Sequence, residues 1–119
     1  MTAAEVIAAA DALRPNQYSP EQKLAWLREL DAELWDEMRR FLEPDGGVPE
    51  TYRPEDGLLA PPPYDRALYV NWLFCRMDYH NGEISRYNQS AAMFREAQQA
   101  LLSFWNRSRR PGDCPRWKL

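Results

Sequence analysis

SPEQKLAWLRELDAELWDEMRRF, residues 19–41, decides the fold. Ser19 stands where a helix N-cap belongs, with Pro20 at the first helical position and Gln22 at the third, so a helix begins there. Leu24, Leu27, Leu30, Leu34, Met38 and Phe41 then recur in steps of three and four, which puts all six on one helical face. Glu29, Asp31, Glu33, Asp36 and Glu37 crowd the remaining surface. Charge runs on a helix ordinarily face water, so the spacing predicts a solvated acidic face.

Upstream, Thr2 and Glu5 have the spacing of a capping box, and Val6, Ala9 or Ala10, and Leu13 line one side of a short helix ended by Pro15. Downstream, residues 43–63 hold Pro44, Gly46, Gly47, Pro49, Pro54, Gly57 and the run Pro61-Pro62-Pro63. No regular element persists through such a stretch. Connections of about twenty residues inside a compact domain tend to be disordered or functional, and Leu58 and Leu59 are expected to pin this one to the core or to a neighbour. A third helix starts near Tyr64 or Asp65 and runs to about His80. Its two apolar stripes, Leu68, Trp72, Cys75 and Tyr79 beside Val70, Leu73, Phe74 and Met77, predict a helix sandwiched between neighbours.

Asn81-Gly82 reads as a stop, because glycine takes the left-handed conformation that closes a helix. Met77, Ile84, Tyr87, Ala91 and Phe94 are also in phase along one kinked helix. With the stop, a fourth helix runs from about Glu83 to Arg107 with Ile84, Tyr87, Ala91, Phe94, Leu101 and Trp105 inward. The expected fold is therefore all-α: a small bundle of four helices over residues 1–107, with a long Pro-rich connection and a flexible basic tail, 108–119.

At 119 residues and 45% hydrophobic content, the chain is one domain able to bury a modest core without metal or disulfide. Residues 1–63 carry 13 acids and 6 bases (net −7), and residues 64–119 carry 5 acids and 9 bases (net +4). That asymmetry permits head-to-side contact between identical subunits. Of fifteen aromatic residues, nine lie between Tyr64 and Asn106. Each buried Tyr or Trp must satisfy a hydroxyl or indole N–H, which suits protein contact better than a plain aliphatic core. Cys75 and Cys114 match neither a disulfide framework nor a zinc site, so a reducing interior is expected. No basic leader precedes the first helix, and no apolar run approaches the roughly 18 residues of a membrane span. A soluble, cytoplasmically made protein is expected.

Catalytic signatures do not emerge. Glu29, Glu33 and Glu37 stand at i, i+4 spacing, but carboxylate-bridged metal sites in bundles need Glu-x-x-His partners on other helices, and His80 is the one histidine. His80, beside Asp78 and Glu83, has no nucleophile or second base at recognisable spacing. Gly46-Gly47 and Gly57 open no helix after a strand, which excludes a phosphate loop. No enzyme activity, cofactor or metal is expected. The tail's bases beside Trp117 suit either docking on a protein partner or non-specific contact with DNA.

Two blocks of the chain carry a family resemblance. One runs Val6-Ile7 through Ala12-Leu13-Arg14-Pro15-Asn16-Gln17-Tyr18-Ser19 to Lys23-Leu24, Trp26-Leu27 and Glu29-Leu30-Asp31. The other runs Leu58-Leu59-Ala60-Pro61, Pro63-Tyr64-Asp65, Leu68-Tyr69, Asp78-Tyr79, Asn81-Gly82-Glu83, Arg86-Tyr87-Asn88, Ser90, Met93-Phe94 and Asn106-Arg107. In these the chain resembles the small helical head–tail connector (adaptor, head-completion) proteins of siphophages and prophages. It departs from that pattern at Gln89 and Arg95, where asparagine is usual, and beyond Arg107.

The resemblance implies a homo-oligomeric ring, a dodecamer, at the head–tail junction of the virion. Its partners there are the phage portal protein and the next neck, stopper or tail protein, and DNA passes through its channel. The free subunit is expected to be monomeric or weakly associated, the ring forming on a preassembled portal. Candidate protein-binding residues, at helix-packing or intersubunit positions, are Tyr64, Asp65, Tyr69, Arg86, Tyr87, Asn88 and Phe94, with simple core packing the plainer role for Tyr87 and Phe94 and with Arg109, Arg110 and Trp117 as a docking tail. The rival reading is a small DNA-binding or DNA-packaging factor using the first two helices as a helix-turn-helix. Against it, the second helix is acidic.

Overall fold

The computed structural model describes residues 1–42 and 46–108. Thr2 opens α1 (Ala3–Leu13) through the capping box expected of it: its hydroxyl accepts from the Glu5 amide, and its own amide donates to Glu5 Oε1 at 2.8 Å. The Thr2 amide, and after it the Thr2 side chain, hold the Glu5 carboxyl below its ordinary value. Ser19 opens α2 (Pro20–Met38) by accepting from the Gln22 amide at 3.1 Å. After the connection, α3 covers Asp65–Asn81 and α4 covers Ile84–Arg107. Gly82 separates them in the left-handed region, at φ 72°. The separate-helix reading of Asn81-Gly82 therefore holds, and the single kinked helix does not.

The fold is an all-α bundle built around α3, which forms a hairpin with α4 and also packs against α1 and α2. Leu24, Leu27, Leu30, Leu34 and Met38 of the α2 stripe are buried, as are both stripes of α3 apart from Phe74, half-buried, and Tyr79, exposed. Trp72 reaches across to α2, its indole N–H donating to the Trp26 carbonyl at 2.8 Å. Among the described residues no helix is long and apolar enough to cross a membrane.

Asp31 departs most sharply from expectation. It does not belong to the solvated acidic face of α2 but is fully buried. Tyr52 Oη donates to its Oδ2 at 2.5 Å, the Leu59 amide to the same oxygen at 3.0 Å, and Tyr69 Oη to Oδ1 at 2.6 Å. The Ala60 amide completes the set by donating to Tyr69 Oη at 2.8 Å. Burial pushes the Asp31 carboxyl up, and the three donors act against that. Burial, with the Asp31 charge, also raises both phenols, so each remains a protonated donor.

The irregular connection thus has an anchor. Leu58 and Leu59 pack on the core as expected, joined by buried Tyr52 and Ala60. Between these anchors the chain arches over the start of α1, where the Ala3 and Ala4 amides donate to the Asp56 and Pro54 carbonyls and the Leu58 amide donates to the Met1 carbonyl. Helix N-termini leave such amides without intrahelical partners, and here the connection supplies them.

Candidate interaction surface

The opposite end of the bundle is formed by the Arg14–Ser19 connection and the Gly82 turn, and it has its own buried carboxylate. Asp78 sits on the last turn of α3. Arg14 Nη1 donates to its Oδ1 at 2.7 Å and Ser90 Oγ to its Oδ2 at 2.6 Å, while the Glu83 amide donates to its backbone carbonyl at 3.0 Å. One residue therefore joins α1, α3 and α4. The Arg14 guanidinium also lies 4.2 Å from the centroid of the Phe74 ring, a cation–π contact. Tyr18 Oη donates to Asn81 Oδ1 at 2.6 Å, tying the α1–α2 connection to the end of α3. Beside it, buried Lys23 Nζ reaches Asp11 Oδ1 at 2.8 Å.

Over this polar framework large apolar groups face outward. Leu13 is 68% exposed, Tyr79 55% and Ile84 74%. The apolar stripes had assigned all three to the interior, and the bundle corrects that. Each lies within a turn of a helix end. Single exposed hydrophobics are ordinary, whereas several gathered at one end are informative.

Two clefts adjoin there. One, of about 500 Å³, is lined by Arg14, Asn16, Tyr18, Asp78, Asn81 and Arg86. The other, of about 200 Å³, is lined by Tyr79, Gly82, Ile84 and Tyr87, with Asp78 and Glu83. His80 lies alongside, its ring stacked on Trp26 at 5.4 Å and 20° between planes, with Tyr79 edge-on at 5.4 Å. Among the described residues no three His, Cys, Asp or Glu gather as a metal site.

The expected contact residues divide into two groups. Arg86 and Tyr87 come together at this end, Arg86 exposed and paired to Glu83 at 3.1 Å, Tyr87 half-buried with its ring 5.9 Å from that of Tyr79. Asn88, next along α4, is exposed. Tyr64, Asp65, Tyr69 and Phe94 occupy helix-packing positions within the chain. Tyr64 stacks on Phe104 at 4.8 Å, Asp65 Oδ2 accepts from the N-terminal ammonium at 3.0 Å, Tyr69 holds Asp31, and Phe94 lies 5.1 Å from Trp72. Arg109, Arg110 and Trp117 lie outside the described residues. Sequence reasoning did not select Leu13, Arg14, Tyr79 or Ile84 for this surface. Their closeness to the helix breakers Pro15 and Gly82 was the signal available.

Compared with family models, curated proteins and solved structures, the chain matches none of them.

Proposed function

We propose that this chain is a non-catalytic structural adaptor of a tailed phage or prophage, a ring-forming connector that joins the portal of the DNA-filled capsid to the next neck or tail protein. The observation that carries the contact-protein part of this reading is the gathering of Leu13, Tyr79 and Ile84, each more than half exposed, at one end of a bundle whose other large apolar groups are mostly covered. Removing apolar area from water is worth roughly 25 cal/mol per Å², so such an end favours a protein neighbour. The phage context rests on the family resemblance of the two sequence blocks.

The faces of the bundle support a ring. Along α2, Glu21, Glu29, Glu33 and Asp36 are exposed, while Arg86, Arg95 and Arg107 are exposed along α4. Two sides of opposite sign suit heterologous contacts, which close into a ring at one defined rotation. The basic residues beyond Arg107 are then a docking tail that orders on the portal.

Size-exclusion chromatography with light scattering, on the chain alone and mixed with the portal protein of the same phage, tests this. The expected result is a monomeric or weakly associated free chain that comigrates with portal, and loss of comigration when residues 108–119 are removed. A truncated chain that docks unchanged removes the role of the tail and leaves the adaptor. Failure to bind portal or neck protein, together with tight duplex binding that falls steeply with salt, overturns the adaptor in favour of a DNA-packaging factor.

A further inference from the structure

Arg76 is a half-buried cation whose charge the described chain leaves without a carboxylate. Its Nε is buried and has no hydrogen-bond partner. The guanidinium lies against two rings, 5.4 Å from the Trp72 centroid and 5.1 Å from that of Tyr79. The nearby acids are engaged elsewhere: Asp78 with Arg14 and Ser90, and Glu83 with Arg86. Exposed Arg95 lies on the same side, close enough to Cys75 to act, like Arg76, on the thiol that burial pushes up. Two cations thus act on the Cys75 region of the α3–α4 hairpin, with Asp78 opposing them.

Arg76 continues directly into the apolar end. Its ring partner Tyr79 neighbours Tyr87, and both line the 200 Å³ cleft with Ile84. We infer that Arg76, Tyr79, Ile84 and Tyr87 form a docking site for a segment of a partner protein in which a carboxylate side chain stands beside a large aliphatic one. The carboxylate pairs with Arg76, with Arg95 adding to the local positive field, and the aliphatic side chain fills the cleft against Ile84 and the tyrosine rings. An arginine held against aromatic faces and bordered by apolar surface is the composition in which interface energy concentrates, and its two terminal nitrogens meet a carboxylate in two-point contact while Nε stays covered. A nucleic-acid backbone would supply the negative charge and leave the apolar cleft unfilled. This inference rests on the reading of the chain as a contact protein and specifies the chemistry of one partner.

The probes are three short helical peptides, titrated into the isotope-labelled chain and followed by backbone amide shifts. One carries Glu and Leu on one face, the second replaces Glu by Lys, and the third replaces Leu by Ser. The expected result is binding of the Glu–Leu peptide alone, with shifts centred on residues 76–87. Affinity falls at least tenfold in Arg76→Gln and at least tenfold in Ile84→Ser, whose side chain is 74% exposed and therefore removable without disturbing the bundle. Equal binding of the Lys–Leu peptide, shifts centred elsewhere, unchanged affinity in both variants, or displacement of the peptide by duplex DNA overturns the inference. Association of the labelled chain with itself through these same residues, abolished by Ile84→Ser, reassigns the surface to a second copy and likewise overturns it. Retained portal comigration in either variant leaves the adaptor reading standing whatever the peptides do.

Discussion

Asp31 and Asp78 are both aspartates buried to within about 1% on adjacent helices of one small bundle, and they are satisfied in opposite ways. Asp31 is held by uncharged donors, two phenols and an amide, most of them delivered by the irregular connection. Asp78 is held by a guanidinium and a hydroxyl from two other helices. The first arrangement closes its end: the connection is drawn down, covers the start of α1 and leaves Tyr52 and Ala60 buried. The second braces its end without covering it, so Leu13, Tyr79 and Ile84 remain in water. A buried carboxylate fastens the fold at both ends, and among the described residues three of the four exposed large apolar side chains stand at the Asp78 end, Met93 on α4 being the fourth.

Removing either carboxylate's partners tests that contrast most severely. Asp31→Ala strands two hydroxyls and an amide in the core. At roughly 1–3 kcal/mol for each unsatisfied group, offset by relief of the buried charge, the expected loss is about 3 kcal/mol in urea unfolding. Arg14→Ala leaves Asp78 buried with Ser90 as its remaining side-chain donor. Because Arg14 is itself 31% exposed, the loss expected is about 2 kcal/mol, below the roughly 3–5 kcal/mol that breaking a fully buried ion pair costs. Equal and small effects from both variants would show that neither carboxylate fastens its end.

Smaller changes sharpen the comparison. Tyr52→Phe deletes one donor to Asp31 and should cost about 1 kcal/mol, with amide exchange at Leu59 and Ala60 accelerated and amides near Gly82 unchanged. The Asp31 carboxyl is raised by burial above its ordinary 3.8. Its contribution to stability is therefore complete below that value and is lost as pH rises through the raised value. Against an Asp31→Asn reference, the wild-type chain should lose relative stability on going upward from pH 3.8. The opposite slope would mean that the three donors outweigh desolvation. Ile84→Ser, at the open end, should change stability by no more than about 0.5 kcal/mol.

What could be read from the chain follows the same division. Helix starts and stops were legible because they depend on neighbours in sequence: Thr2 with Glu5, Ser19 with Gln22, and Gly82 at positive φ. The Leu24 to Met38 stripe was legible because burial on α2 repeats with the helical turn. Asp31 was not, since its donors lie 21, 28 and 38 residues away, and local spacing makes an aspartate among glutamates a surface residue. Leu13, Tyr79 and Ile84 failed differently. Periodicity states which side of a helix is apolar and carries no information on how much of that side its neighbours cover. These exposed groups were therefore hidden inside stripes that read as core, while Arg86 and Tyr87, selected from the sequence, line the two clefts of the same end.

The most direct test of the central claim, that the open end is the working surface, is hydrogen–deuterium exchange on the chain alone and mixed with the proposed portal and neck partners. The account predicts new protection over residues 76–87, with the already bonded Leu59 and Ala60 amides little changed. Protection gained around residues 52–60 with none over 76–87 would contradict it.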